Sequence, residues 1–583
     1  MHKRNNYKKQ SVICIFLLLV QCVLSQAIAI AATETDVTVA ASVPKPVLDN
    51  SAATSPTEAT PKAATKENQT DKKNGQSDQK LEQAEEKKVS ADNKPVNYFD
   101  ILEYQVQGNS KLSNAQIETA VYAHMGEKKT IDDVESARDA LEKTYHQAGY
   151  LTVLVDIPEQ EVNSKIVKLN VTEGKVAKLR IKDSNYYSLG RIKELSPSVK
   201  EGEVPYFPDV QKDVARLNRT ADRRVTPVLK AGKAFGTVDV ELKVEDKLPL
   251  HASIELNNRY SQNTTKSRLG GSIRYDNLWQ REHSLSLSFQ ISPENIDEVK
   301  VLSANYLMRF DNSDILLALY GVRSKSNVAT VGGINVLGDG TILGVRLIKP
   351  LPALDNFYHS ISLGLDYKDF GQTVLFGGNI DSPITYMPLS AAYNSTLQQG
   401  ANKTQVNTSV IFGLRGLVAD EAEFDNKRLG AKPNFFIAKA ELEHTSALPK
   451  GFEGYIKLDG FFSDAPLISN EQYLAGGADN VRGYLEAEDS GDQALHSSLE
   501  LRSPELFKSQ NWLQSFRLAA FYDIARIKNI DAKASILSGT GLGLRMKAFK
   551  NWNFDMDLAV PLKDSLETKQ GDFASHMRLW YEF

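Results

Sequence analysis

The sequence is poor in the features that define several common protein classes. Cys14 and Cys22 are the only cysteines among 583 residues, and both lie within the first 32. If that segment is removed as a leader, the mature chain has no thiol, which excludes disulfides and cysteine metal sites. The chain also lacks a strong charge of either sign. Its net charge of -4 favours neither nucleic acid nor a polybasic membrane arm as a partner.

Long hydrophobic runs are also missing. An apolar stretch at residues 12–20 follows four basic residues and precedes an alanine-rich segment. A basic region, a short apolar core and an Ala-x-Ala site predict a secretory signal peptide over residues 1–32. No later stretch approaches the 18 or so apolar residues of a transmembrane helix. Only a closed β-barrel could therefore carry the mature chain across a membrane.

Residues 33–248 consist of two segments that differ in composition and in hydrophobic pattern. Residues 33–95 contain no aromatic residue and are mainly Ala, Thr, Pro, Lys, Glu, Gln and Asp. Such a composition cannot bury enough apolar surface to offset its ordering entropy, which predicts a disordered low-complexity linker. From residue 96, short strand patterns alternate with helical ones, and Gly149 is typical of a helix end. Two small α+β domains are predicted, over residues 96–174 and 175–248.

From Leu250 onward, helical periodicity gives way to period-two alternation. Residues 283–291, for example, place Leu285, Leu287 and Phe289 on one face and serines on the other. Sixteen such segments can be counted in residues 249–583, and the number is even, as single-chain bacterial barrels require. A soluble sandwich would bury the apolar face, whereas an outer-membrane barrel turns it to lipid and its polar face to the lumen. The predicted fold is an all-β, 16-stranded transmembrane β-barrel preceded by two α+β domains.

The longest connection, residues 464–491, falls between predicted strands 11 and 12. If the α+β domains are periplasmic, every odd-to-even connection is extracellular, and this one is the sixth extracellular loop. Its glycines can bend the chain tightly, and its arginine, if folded into the barrel, needs a carboxylate. The alternative is a surface turn with a solvated arginine. The candidate loop residues are Gly476, Gly477, Val481, Arg482, Gly483 and Tyr484.

Taken together, these features resemble the outer-membrane translocators of two-partner secretion, of the hemolysin secretion and activation type. The loop motif Val481-Arg482-Gly483-Tyr484 and the stretches at 216–232, 257–265 and 275–279 carry the resemblance. It implies that residues 96–174 and 175–248 are POTRA domains and that the sixth loop reaches into the lumen. The family more often has a short plug helix where this chain has residues 33–95.

The resemblance also implies a partner for the loop arginine. A second motif of the superfamily, Phe-x-Asp-x-Gly on strand 13, matches Phe521 and Asp523 but has Ala525 at the glycine position. The family pattern pairs Arg482 with this aspartate, and alternation places Asp523 towards the lumen. Glu500, on the lumen face of strand 12, is the alternative partner. Phe583 resembles the terminal signal for barrel insertion; the alternative is an ordinary last strand.

The implied function is export of a large unfolded exoprotein, such as a hemolysin or an adhesin, across the outer membrane of a Gram-negative bacterium. The expected partners are an exoprotein with an N-terminal two-partner secretion domain, outer-membrane lipid and the Bam machinery for insertion, with no nucleic acid. A barrel-assembly factor is the main alternative. The sequence has no His-Glu-x-x-His or Gly-x-Ser-x-Gly motif, and Gly539–Gly543 lies in a strand pattern. An enzyme is not expected, and no catalytic, cofactor or metal residue is predicted.

Overall fold

The computed structural model describes residues 97–583 except 163, 312, 327, 332–333, 372, 376–378, 382 and 508–510, and excludes the side chains of 327–337 and 372–382. The predicted signal peptide (1–32) and linker (33–95) lie outside the described residues. The described chain forms two compact units. The first contains the residues up to Lys182 with Ser198–Val214 and Thr226–Lys243, and the second contains Asp183–Pro197, Ala215–Val225 and Val244–Phe583.

The first α+β region is built on a three-stranded sheet, ordered Glu103–Gln107, Ile166–Glu173, Val153–Asp156. Two helices, Asn114–Val121 and Ile131–Gln147, pack their apolar faces on it. Both helices begin with a capping box, which satisfies backbone N–H groups that have no partner within the helix. Phe99–Ile101 leaves the sheet and pairs with Gly126–Lys129, so the extended segment 99–107 is broken at Leu102. The turn Tyr122–His124 is a 3-10 helix.

The second α+β region repeats the same plan with a shorter first helix. Its sheet has the order Lys175–Lys182, Thr237–Asp246, Arg223–Ala231. The first two of these strands are parallel. The sequence marks its first helix poorly, and the structure shows why: Leu189–Glu194 is only 6 residues long. A 3-10 turn at Pro197–Val199 and the helix Phe207–Leu217 follow.

The remaining residues form a closed antiparallel barrel in which the last strand pairs with the first. Strand 8 is interrupted at Met387, next to Pro388, which has no N–H to donate. With that strand counted once, the barrel has 16 strands, as predicted. In order, barrel strands 1 to 16 are Leu250–Asn257, Arg268–Leu278, His283–Ile291, Lys300–Arg309, Leu316–Lys325, Gly340–Pro350, Phe357–Phe370, Ile384–Tyr386 with Pro388–Gln399, Asn402–Gly413, Phe436–Ala447, Glu453–Ser463, Gln493–Arg502, Leu513–Lys528, Ser535–Ala548, Trp552–Pro561 and Ala574–Glu582.

The apolar face of the barrel points outward. Leu285, Leu287 and Phe289 on strand 3 are 36%, 44% and 39% exposed, although all three are strongly hydrophobic. An outward band of this kind suits a surface in contact with lipid. The soluble-sandwich alternative is therefore wrong, because the barrel is closed and its apolar face lies outside. Among the described residues, no helix is both long and apolar enough to cross a membrane.

Several connections between barrel strands contain short strands, a helix or 3-10 turns. Short strand pairs join Val328–Val331 to Ile334–Leu337, Thr373–Leu375 to Asn379–Asp381, and Tyr473–Ala475 to Asp489–Gly491. The connection between strands 9 and 10 contains the helix Glu421–Lys427. Short 3-10 turns lie at Pro449–Gly451 and Ser469–Glu471. The connection between strands 11 and 12 is the sixth loop predicted from the sequence, and its tip lies inside the barrel.

Candidate functional site

The sixth loop is a hairpin that turns back on itself beyond its stem. Gly476 and Gly477 follow the first stem strand with φ of 99° and 103°, a conformation that side chains with a Cβ rarely adopt. A Cβ at Gly476 would lie 2.6 Å from the Leu485 carbonyl oxygen, and one at Gly477 would lie 2.3 Å from Glu486 Oε2. Both glycines are therefore required by the path of the loop.

Arg482, at the tip of the loop, is buried against the barrel wall and is only 6% exposed. Its Nε donates to Asp523 Oδ2 at 2.7 Å and its Nη2 donates to Asp523 Oδ1 at 2.9 Å. The backbone N–H of Arg482 also donates to Asp523 Oδ2, at 3.1 Å. One fully buried carboxylate therefore holds both the guanidinium and the backbone of the loop tip through charge-assisted bonds.

Glu500, the alternative partner, contacts the same guanidinium. Arg482 Nη1 lies 2.6 Å from Glu500 Oε2. Glu500 also accepts from Arg502 Nε at 2.8 Å and lies 3.4 Å from Arg545 Nη2. The structure thus brings both candidate carboxylates to Arg482, but Glu500 is shared among three arginines. Within the described part of the chain, Arg482 is the only cation that forms an ion pair with Asp523.

Phe521 and Ser498 complete the binding site of the Arg482 guanidinium. The Arg482 Cζ lies 3.5 Å from the centroid of the Phe521 ring, a cation–π geometry that stabilises a cation held out of water. Ser498 Oγ donates to Asp523 Oδ1 at 2.6 Å and fixes that carboxylate. Phe521 therefore supplies a flat face for the arginine, while Asp523 supplies the charge.

The rest of the motif packs against strands 13 to 15. Val481 and Tyr484 are almost fully buried and form one cluster with Ala525. The Tyr484 hydroxyl donates to the Lys563 carbonyl oxygen at 2.8 Å, and Gly483 N donates to His576 Nε2 at 3.1 Å. Ala525, which stands at the glycine position of the superfamily motif, is 0% exposed. Its methyl group fills space beside Val481 and Tyr484, so this departure from the motif is accommodated in the packing.

On strand 14, Gly539 makes room for the loop and Gly541 makes room for the Phe521 ring; neither was identified as functional from the sequence. A Cβ at Gly539 would lie 1.9 Å from the Arg482 carbonyl oxygen, and one at Gly541 would lie 2.7 Å from Phe521 Cζ. Gly539, Gly541 and Gly543 alternate along the strand opposite lumen-facing partners, among them Asp523 and Phe521. This Gly-x-Gly-x-Gly pattern was the available signal, because glycines at every second position leave one face of a strand without side chains.

A polar cavity of about 550 Å³ lies beside the loop tip. Its walls carry charges of both signs, including Arg259, Lys457, Glu500, Arg502 and Asp557. Small-molecule pockets are mostly apolar, so this lining instead suits a water-filled lumen.

A separate cluster of metal-ligand types lies away from the loop. Asp222, His251 and Asp276 place one ligand atom each within 4.8 Å of one another. His251 Nε2 is 2.8 Å from Asp222 Oδ2 and 3.4 Å from Asp276 Oδ2. Arg274 Nε already donates to Asp276 Oδ2 at 2.9 Å. These side chains already contact one another and Arg274, and we assign no metal to the cluster.

Because Glu500 also contacts Arg502 and Arg545, Asp523 and Glu500 should differ in how much each contributes to holding the loop. We expect Asp523→Asn to release the loop tip, because it removes the charge that binds both the side chain and the backbone of Arg482. Glu500→Gln should have the smaller effect, because Arg482 keeps its three bonds to Asp523. Protease cleavage of the loop on intact cells measures release, and equal cleavage in the two variants would contradict the difference.

Two family models match the sequence. The family described as "Haemolysin secretion/activation protein ShlB/FhaC/HecB" matches residues 236–546. The model described as "POTRA domain, ShlB-type" matches residues 99–174. The first match covers more than half of the chain and includes strands 1 to 13, the sixth loop and most of strand 14.

Individual proteins and structures agree with this match. The heme/hemopexin transporter protein HuxB of Haemophilus influenzae is 21% identical over 489 residues, which cover 81% of this chain and 84% of the relative. The outer membrane transporter CdiB of Dickeya dadantii is 22% identical over 441 residues, covering 73% and 74%. The structure of CdiB from Escherichia coli has a TM-score of 0.59 at 17% identity and covers 85% of this chain and 92% of that one. At that identity the structural likeness supports the fold alone.

Fold, site and family matches lead to one assignment. The 16-stranded barrel lies in the outer membrane, and the POTRA-type region before it is periplasmic. The connections that join odd to even strands, including the sixth loop, are then extracellular. The family is one of transporters rather than enzymes. The chain belongs to the haemolysin secretion/activation protein family ShlB/FhaC/HecB, the outer-membrane transporters that export a partner exoprotein by two-partner secretion.

Proposed function

We propose that the barrel lumen conducts one large unfolded exoprotein, which carries an N-terminal two-partner secretion domain, and that the Arg482 loop tip is a working part of this path. The observation that carries the proposal is the buried contact of Arg482 with Asp523 and Glu500 inside the barrel. The cargo is a hemolysin, an adhesin or a protein of similar kind.

The energetics of this contact favour a role in transport. Removing charges from water has a large desolvation penalty, so a buried ion pair often contributes little net stability compared with well-packed apolar residues. Water and the polar backbone of a passing polypeptide can also replace hydrogen bonds of the guanidinium, because Arg482 and Glu500 border the polar cavity. The arginine of a loop held in this way can leave its binding site with its hydrogen bonds replaced, although Val481 and Tyr484 then leave the cluster that they form with Ala525. The contact therefore suits a loop that holds its position at rest and shifts during export.

The first α+β region offers an edge for the arriving cargo. An extended polypeptide binds by adding a strand to an open sheet edge, where backbone pairing needs little sequence specificity. The outer edge of Val153–Asp156 is already occupied: Val155 N donates to Glu142 Oε2 at 3.0 Å, and His146 Nε2 lies 3.1 Å from the Val153 carbonyl oxygen. Glu103–Gln107 is the opposite edge of this sheet, and we assign the exoprotein to it.

We further propose that Phe583 marks the barrel for insertion into outer-membrane lipid by the Bam machinery. Its side chain is 61% exposed, and its backbone N–H donates to the Ala252 carbonyl oxygen at 2.8 Å. Phe583→Ser should lower the amount of heat-modifiable barrel in the outer membrane, measured on gels of unheated samples. Phe573→Ser is the control, because Phe573 is also exposed, at 70%, but precedes the last strand. Equal amounts in the two variants would count against Phe583 as the signal.

Deletion of the gene tests the proposed function directly. The exoprotein followed in the test is the large secreted protein encoded beside it, if that protein has a β-helical N-terminal secretion domain. We expect the exoprotein to disappear from the cell surface and the medium, while other barrel proteins stay at their normal level. Continued surface display of the exoprotein would refute export by this barrel. A general loss of outer-membrane barrels would instead favour the barrel-assembly alternative.

A further inference from the structure

The extracellular half of the lumen carries an apolar patch. Lumen faces of outer-membrane barrels are normally polar, yet strands 5 to 8, 10 and 11 here turn apolar side chains inward near their extracellular ends. All of them are at most 6% exposed. We call this set the lumenal apolar patch; its main members are Val322, Ile342, Phe370, Ile384, Ile437 and Phe461.

The register between strands shows that these side chains share one face. Ile342 lies opposite Val322 on one side and Lys368 on the other, while Ile384 lies opposite Phe370. Phe461 lies opposite Lys439, which is one of the polar side chains that line the lumen. The patch therefore faces the transport path, and the wall of strands separates it from lipid.

The chain itself covers the patch. The helix Glu421–Lys427, in the extracellular connection between strands 9 and 10, inserts Phe424, which is 1% exposed. The Phe424 ring centroid is 5.5 Å from that of Tyr386 and 6.2 Å from that of Phe435. A helix of 7 residues is too short to be stable alone in water. Its position therefore depends on the contacts that it makes with the patch and with neighbouring loops.

One ion pair ties this helix to the sixth loop. Arg428, directly after the helix, binds Asp492 through two bonds, Nη1–Oδ1 at 2.6 Å and Nη2–Oδ2 at 2.7 Å. Asp492 is 0% exposed and lies at the end of the sixth loop. Arg428 Nη1 also donates to the carbonyl oxygen of Leu467, which is buried and packs with the residues of the lumenal apolar patch. The two loops therefore cover the patch together.

We propose that the lumenal apolar patch is a binding surface for apolar side chains of the exoprotein in transit, and that Phe424 and its helix occupy it at rest. The inference rests on the proposed function. Apolar surface is stabilised when it leaves water, so displacement of the helix is unfavourable unless its own contacts are weakened or another apolar occupant takes its place. The lumen leads to the patch and lipid does not reach it. An unfolded polypeptide with aliphatic and aromatic side chains has the chemistry that replaces Phe424.

Photo-crosslinking in intact cells tests the binding surface. A benzoylphenylalanine residue replaces Phe461, in the patch, or its neighbour Phe462, on the outward face, while export of the exoprotein is stalled by a folded C-terminal domain. We expect cargo adducts at position 461 and none at 462. The same probe at Glu441, a polar lumen position, shows whether cargo is in the barrel. Adducts at 441 without adducts at 461 overturn the patch proposal, whereas adducts at neither position overturn the proposed export route as well.

A second experiment tests displacement of the helix. In planar bilayers, Arg428→Ala should increase the open fraction of the purified protein at least about tenfold, because breaking a buried ion pair shifts such an equilibrium strongly. Phe424→Ser should act in the same direction without touching the ion pair. Arg415→Ala is the matched control, because Arg415 binds Glu421 of the same helix at 2.9 Å in an exposed pair, which contributes little. An open fraction unchanged by both Arg428→Ala and Phe424→Ser overturns the proposed displacement.

Discussion

Replacing Arg482 with alanine is expected to reduce exoprotein export about tenfold or more. The substitution leaves Asp523, which is 0% exposed, without its cation and removes one of the three arginines that balance Glu500. Breaking a buried pair in this way costs about 3–5 kcal/mol, and about 1.4 kcal/mol is a tenfold change in an equilibrium. The docked position of the loop tip should therefore lose most of its population. Immunoblots of the medium measure export, and protease cleavage of the loop on intact cells measures docking.

Arg259 provides the matched control for this substitution. It also binds an aspartate of the sixth loop, Asp479, but the Asp479 side chain is 66% exposed. Because the carboxylate of this pair is exposed to water, the pair should contribute only about 0–1 kcal/mol, and Arg259→Ala should retain most export. Normal export and normal loop protection in Arg482→Ala would show that the buried contact has no part in transport.

Gly539→Ala is expected to impair export nearly as strongly without changing any charge. The new methyl group would lie 1.9 Å from the carbonyl oxygen of Arg482, closer than any real contact, so the loop tip must leave its seat or strand 14 must shift. Because the opposing atom belongs to the backbone, a change of side-chain conformation cannot relieve the clash. The expected result is a cleavable loop together with reduced export, measured as for Arg482→Ala.

Gly270→Ala controls for the loss of a barrel glycine. Gly270 lies on strand 2 opposite Glu255, and the nearest atom to an added Cβ is the Phe289 carbonyl oxygen at 3.5 Å, an ordinary contact. This variant should export normally. If Gly539→Ala also exports normally and its loop stays protected, strand 14 shifts to accommodate the methyl group, and a glycine at position 539 is not required for docking.

The sequence narrows the partner of Arg482 to two carboxylates and no further. Alternation placed Asp523 and Glu500 on the lumen face, but it could not rank them, because both satisfy the same rule. The register of strands 12 and 13 puts Ser498 opposite Asp523 and Glu500 opposite Phe521, so both carboxylates lie within reach of one guanidinium. Register depends on pairing along the whole length of both strands, which no local pattern encodes.

The lumenal apolar patch was missed for a related reason. The rule that lumen faces are polar is an average over barrels, and inward apolar residues such as Ile437 and Phe461 follow the same alternation as their polar neighbours. Only the fold of the loop that carries Phe424 shows that these residues are covered. Loop folds depend on contacts between distant parts of the chain, and the pattern around residues 421–427 carries no information about the surface beneath it.

By itself, the sequence determined the barrel, its 16 strands, the lumen-facing positions of Asp523 and Glu500 and the loop that carries Arg482. These features follow from local rules, because side chains alternate at period two and glycines mark turns. The tertiary structure alone decided that two carboxylates share Arg482, that Gly539 makes room for the loop and that a helix covers an apolar part of the lumen. Each of these depends on which strands and loops meet in space, and that is set by the sum of many weak contacts between residues far apart in the chain.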